Sequence, residues 1–253
     1  MSAPCGIAVM AKASRAGRTK TRLVPPLTFE EAACLNTVFL EDAFANIAEA
    51  ARRAPIRAFA AYGPIGEEPF FEHLAEEPPS LIPAVFPDFG DCLHAGIEGM
   101  LAAGCASACV LNADTPDLPT EYLVRAARAL AGGRDRIVIG PADDGGYYIL
   151  GVSRPNRRLF EDIDWSTERV FAQSLARAAE LDLELVTLPS WSDIDDAVSL
   201  RRFVERPPWS RGRPDEAEPF AAPNTCAHLR ELMQAGDLGR RLGLTATVEV
   251  DAA

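Results

Sequence analysis

The chain has 253 residues, 48% of them hydrophobic and 25% charged, enough length and apolar content to bury the core of one large domain. A formal net charge of −12 excludes nucleic acid and anionic membrane surfaces as partners of the molecule as a whole, so any polyanion must be held by a local basic cluster. No apolar run nears the roughly 20 residues of a membrane span, and the opening "MSAPCGIAVMAK" has no basic stretch ahead of its apolar residues, so a cytoplasmic protein is expected.

The first predicted strand is "GIAVM" (6–10). It runs into "AKASRAGRTKTRL" (11–23), which carries Lys12, Arg15, Arg18, Lys20 and Arg22. Lys12 and Lys20 are the only lysines; the other 23 of the 25 basic residues are arginine. Gly17 lets the backbone fold around an anion, while guanidinium forks and ammonium point charges match phosphate oxygens. A solvated basic turn is the plain alternative. The position after the first strand favours a bound diphosphate or triphosphate, because sheets of this kind collect ligands at their carboxyl ends.

Thr28 with Glu31 forms a capping-box pattern that opens an amphipathic helix to about Arg53. Strands are predicted at "IRAFAAY" (56–62), "LIPAVF" (81–86) and "ACVLNA" (108–113). The last of these leads into "VLNADTPDLP", where Asp114 and Asp117 flank a Thr-Pro turn. Carboxylates at a strand end suit a hard divalent ion, and they also suit an ordinary turn. Thr120 is expected to cap a helix through Leu130.

Strands "RIVIGPA" (136–142) and "YYILGV" (147–152) enclose Asp143, Asp144, Gly145 and Gly146. This reads either as a plain hairpin or, together with Tyr147, as a substrate wall that offers acceptors to hydroxyls. Trp165, Ser166 and Thr167 begin a helix to about Leu181, with Ser166 as cap or the helix start as an anion site. After strand "LELVTL" (183–188), "WSDIDDAVSL" brings Asp193, Asp195 and Asp196; Asp196 is the natural helix cap, which leaves the other two to be explained.

Residues 1–204 thus read as an α/β domain with a mostly parallel sheet between helices, and 205–253 as a proline- and charge-rich linker plus a helical extension ending near Gly243. Six scattered cysteines predict buried reduced thiols, and three histidines argue against a histidine-rich zinc site. Nothing in the pattern sets an oligomeric state.

The order K-x(5)-R-x-K-T-R-L, "NADTPDLP", "GPADDGGYYILG", "DWST" and "DIDDAVSL" resembles the bacterial DUF2064 family, the cofC-like transferases associated with radical-SAM and selenodomain proteins. That family is part of the nucleotide-diphospho-sugar transferase superfamily, and the resemblance spans residues 6 to about 204. It implies a GT-A-like (Rossmann-like) mixed sheet in a three-layer α/β/α fold. It further implies Mg2+ or Mn2+ at Asp114 with a second carboxylate from the last acidic motif, Asp195 at its centre. Lys12, Arg18 and Lys20 would embrace donor phosphates, and "FGDCLHAG" (89–96), with Gly90 and Asp91, would line the base or ribose pocket. The chain departs from the family at Cys92 and His94 and lacks the usual Thr-Pro after the last acidic motif.

Two transfers from a nucleotide or nucleotide-sugar donor to a small acceptor fit these residues. Nucleotidyl transfer would release pyrophosphate, with Lys20, Arg18 and Asp114 at the reacting phosphates. Glycosyl transfer would release a nucleoside diphosphate and use Asp143 or Asp144 as base or hydroxyl binder. Five cations exceed what one metal-neutralised diphosphate requires, which favours the first. A non-catalytic nucleotide-binding module is the third reading; retention of both acidic motifs speaks against it.

Overall fold

The computed structural model describes residues 3–132, 135–210 and 217–244. Its elements in chain order are β1 (Cys5–Lys12), α1 (Phe29–Ala51), β2 (Ile56–Gly63), α2 (Glu68–Phe71), β3 (Ser80–Pro83), α3 (Phe89–Ala102), β4 (Ser107–Asn112), α4 (Thr120–Leu130), β5 (Arg136–Pro141), β6 (Tyr147–Val152), α5 (Val170–Glu180), β7 (Glu184–Thr187), α6 (Ala197–Glu205), α7 (Pro223–Ala235) and α8 (Leu238–Arg241).

All seven predicted strands form, and they join one sheet in the order β3-β2-β1-β4-β6-β5-β7. Only β6 runs antiparallel to its neighbours, β4 and β5. The central strands are apolar without alternation because both faces are covered. Leu40, Phe44 and Ile47 of α1 pack with Tyr122 and Leu123 of α4 on one face. Leu93, Ile97 and Met100 of α3 pack with Val170 and Ala178 of α5 on the other. The fold is therefore the expected three-layer α/β/α with a mostly parallel mixed sheet.

Helix starts follow the predicted chemistry in part. Thr28 and Glu31 complete a capping box on α1, and Asp196 completes one with Ser199 on α6. Thr120 does not cap α4. Pro119 occupies that position, and the Thr120 hydroxyl donates to Asn46 Oδ1 at 2.7 Å. Ser166 does not cap α5 either: it has φ 63, and the helix begins four residues later at Val170.

Residues 217–244 lie against the α/β layers. Leu229, Leu238 and Leu242 share a third core cluster with Leu35 and Phe39 of α1, Leu200 and Phe203 of α6, and the loop residues Leu23, Leu27 and Ile194. Asp42 of α1, fully buried, accepts from the backbone amides of Asn224 (3.1 Å) and Thr225 (2.8 Å), so a carboxylate from another helix caps α7. The single predicted tail helix is two, parted at Gly236. Segments 211–216 and 245–253 of the predicted linker and extension lie outside the described residues.

The cysteine expectation needs correction. All six are free, but only Cys5, Cys92, Cys105 and Cys109 are buried; Cys226 is half-buried and Cys34 exposed.

Candidate active site

The basic loop leaves β1 at the carboxyl edge of the sheet. It is shaped by a turn in which the amides of Arg18 and Thr19 both donate to the Arg15 carbonyl, with Gly17 at φ +71. A glycine avoids the strain that a side chain meets there. Asn36 of α1 fixes the loop's first residues, donating through Nδ2 to the Lys12 carbonyl at 3.1 Å and to Ser14 Oγ at 2.8 Å. A short 3-10 turn over Thr21–Leu23 ends the loop and buries Leu23.

Two acidic segments meet it. The end of β4 delivers Asp114, and the chain after β7 returns along the same edge. Trp191 N donates to the Pro141 carbonyl at 3.1 Å and Ile194 N to the Asp114 carbonyl at 2.9 Å. Asp114 and Asp195 are thereby brought to one edge of the sheet, with Asp193 near enough to feel the charge of Asp114. Burial, then the charges of Asp144 and Asp114, push the Asp193 carboxyl up to about 6. Burial, then Asp114, does the same for Asp195.

Lys20 joins the segments. Its Nζ lies 2.5 Å from Asp114 Oδ1 and 4.0 Å from Asp195 Oδ1, and donates to the Ile194 carbonyl at 3.3 Å. Arg22 Nη1 reaches Asp195 Oδ2 at 2.7 Å.

The expected phosphate-gripping set divides accordingly. Lys12 and Arg18 are exposed and form no ion pair among the described residues. Arg15 is exposed and paired with Glu67. Lys20, with a side chain only 7% exposed, is turned inward onto the carboxylates. Of the aspartates in "DTPD", Asp117 is buried and accepts from Trp191 Nε1 at 3.1 Å, so it braces the fold.

The β5–β6 connection is a tight turn over Asp143–Gly146. Gly145 has φ +86, and a Cβ there would stand 2.3 Å from the Glu168 carbonyl oxygen. Its own carbonyl accepts from Phe171 N at 2.9 Å, which ties the turn to the segment carrying Trp165, Ser166 and Thr167. Asp143 accepts from Ser192 Oγ at 2.5 Å, and Asp144 accepts from Gly146 N. Both are exposed, as are Ser166 and Thr167. Tyr147 departs from expectation: it is only 6% exposed and its ring belongs to the core beneath α3, so it forms no substrate wall.

"FGDCLHAG" is the first half of α3, a helix the sequence reading passed over. Asp88 caps it through the amides of Gly90 and Asp91, and Asp91 pairs with Arg157 at 2.6 Å. Gly90 is required because a Cβ would meet the Phe160 carbonyl oxygen at 2.6 Å. Phe89 stacks edge-on against Trp165, centroids 5.3 Å apart.

Sequence reasoning also missed Asn36, Phe39 and Ser192. Asn36 carried a signal, a polar residue on the buried stripe of α1.

The chemistry of the donor set bears on a divalent ion. No group of three or more candidate ligand residues converges among the described residues. Two carboxylates sharing one ammonium remain, and magnesium-type ions commonly take one or two protein carboxylates and complete their shell with water and substrate phosphates. The residues fit such an ion.

The fold is similar to that of two solved structures described as transferases. A structure from Desulfovibrio desulfuricans G20, assigned as a candidate nucleotide-diphospho-sugar transferase, superposes with TM-score 0.77 at 24% identity over 95% of this chain and 99% of its own. A cytidylyltransferase from Leptospira borgpetersenii serovar Hardjo-bovis shares the fold at TM-score 0.50 and 10% identity, over 98% and 99% of the two chains. Residues 46–167 match the family model described as "Uncharacterized protein conserved in bacteria (DUF2064)". No protein of curated function is significantly similar in sequence. No helix among the described residues is long and apolar enough to cross a membrane.

Proposed function

We propose that this chain is a metal-dependent transferase acting on a nucleotide donor, with nucleotidyl transfer to a small phosphorylated or hydroxyl-bearing acceptor as its reaction. The observation that carries this reading is the meeting of Asp114, Asp195 and Lys20 at the carboxyl edge of the sheet, beside the exposed cations Lys12 and Arg18. An acidic cluster and a basic loop within one side chain's reach are what a metal-chelated polyphosphate needs.

Asp114 and Asp195, with Asp193 beside them, would hold Mg2+ or Mn2+, which when bound supplies positive charge to the phosphate oxygens. Lys12 and Arg18 would grip the β- and γ-phosphates and steady the charge that grows on them. An acceptor oxygen attacks the α-phosphorus, the bond from α-phosphorus to the bridging oxygen breaks, and pyrophosphate carries away the electron pair. The start of α3 would face the base or ribose. The turn at Asp143–Gly146 with Trp165, Ser166 and Thr167 would face the acceptor.

Glycosyl transfer is the second reading. It is favoured by one feature: Asp143 and Asp144 are exposed carboxylates close enough for Asp144 to raise Asp193, and an acceptor hydroxyl needs such a base. Incubation with Mg2+ and each nucleoside triphosphate or nucleotide-sugar, followed by melting and phosphate analysis, decides between them. Stabilisation by a triphosphate with pyrophosphate release supports nucleotidyl transfer; stabilisation by nucleotide-sugars alone overturns it in favour of glycosyl transfer. The cytoplasm is the compartment this chemistry implies.

A further inference from the structure

Lys20 stands where the two acidic segments meet, and its surroundings are those of a counter-ion. Besides Asp114, Asp195 and the Ile194 carbonyl, its ammonium lies 4.9 Å from the centroid of the Phe39 ring. The face of an aromatic ring attracts a cation, so the ring and the three oxygens hold the ammonium from several sides. The other four cations of the loop are exposed or half-solvated; this one is turned inward. A carboxylate oxygen that already holds an ammonium at 2.5 Å is a poor ligand for a second cation, because like charges would crowd one atom.

Resting on the reading of Asp114 and Asp195 as ligands of the ion, we propose that Lys20 is the site's resident cation. It neutralises the acidic pair while no donor is bound. A divalent ion takes its place on Asp114, and the released ammonium turns on its four-carbon stem to the donor's phosphate oxygens. Ion and lysine compete for Asp114, while ion and donor assist each other, since the arriving ion frees a phosphate ligand. The half-buried carboxylates are thus paired in both states, which avoids the cost of an uncompensated charge.

A chain with two lysines makes the test direct. Amine-selective acetylation read by mass spectrometry reports Lys12 and Lys20 separately in the unaltered protein. The expected result is that Mn2+ alone raises the Lys20 rate about tenfold and leaves Lys12 unchanged, and that Mn2+ with inorganic tripolyphosphate then slows both. A Lys20 rate that stays flat or falls on adding Mn2+ overturns the proposal. In Lys20→Gln, with its fold checked by melting, the paramagnetic resonance signal of free Mn2+ should show about tenfold tighter binding than in the unaltered chain; equal or weaker binding overturns it. Asp114→Asn separates the two levels. If Mn2+ binds that variant as well as the unaltered chain, the assignment of Asp114 as a ligand fails and the exchange with it; if binding requires Asp114 but Lys20 never responds, the exchange alone fails.

Discussion

The backbone amide of Ile194 donates to the carbonyl of Asp114 at 2.9 Å. That bond joins the end of β4 to the loop after β7, and the carboxylates of Asp114 and Asp195 converge because the backbones beneath them are pinned. The site is thus held by main-chain geometry, and altering a carboxylate at its rim leaves the clamp intact. Asp114→Asn is therefore expected to keep its melting temperature within a few degrees while metal-dependent turnover falls by about 10²-fold or more. Calorimetry beside a product assay checks both; full activity in the variant removes Asp114 from the reaction.

Lys12 and Arg18 are exposed and unpaired among the described residues, so neither supports the fold. Lys12→Ala and Arg18→Ala should each weaken triphosphate binding about tenfold, as loss of a charge-assisted hydrogen bond does, with unchanged melting. The loss should shrink in high salt, which screens exposed charges. Titration calorimetry at two ionic strengths measures this, and unchanged affinity in both variants sinks the assigned grip.

Arg241 of α8 holds Glu31 of α1 through two bonds of 2.7 Å and donates to the Pro26 carbonyl at 2.5 Å. Arg241 keeps the Glu31 carboxyl below its usual 4.5. A depressed folded value means that this pair's stability is fully present above the unfolded value and is lost as pH falls through the folded one, below 4.5. Arg241→Ala should lower stability by about 2 kcal/mol near neutral pH and flatten the acid limb. Urea midpoints measured from neutral to acid pH would expose the error if the variant kept the wild-type slope.

Asp42 is buried and serves as the acceptor for the start of α7. Asp42→Ala removes that acceptor and should cost about 2–3 kcal/mol. Amide exchange is expected to quicken first in α7 rather than in the sheet. Protection of α7 equal to that of the unaltered chain would show that the cap contributes little.

Much of this was legible in the sequence because it is local. The seven strands announced themselves as short apolar runs, and the caps at Thr28 and Asp196 depend on residues three positions apart. Partnerships across long stretches of chain were not legible. The basic loop read as one cluster of cations facing phosphate, yet Lys20 turned inward, Arg15 paired with Glu67 and Arg22 with Asp195, since partners only exist once the sheet has ordered the loops. Tyr147 read as a wall because it follows two glycines, but strand alternation sends its ring into the core. Ser166 looked like a cap by residue type; its left-handed backbone belongs to a turn that docks on Gly145. The start of α3 was obscured by its glycines, of which Gly90 serves a close approach to Phe160.

Leu23 of the basic loop and Ile194 of the acidic one share a core with Leu229 of α7 and with Leu238 and Leu242 at α8. The two loops thus stand on a common apolar floor supplied by helices outside the sheet layers. A cavity opened in that floor, far from any charged group, would unsettle both loops at once.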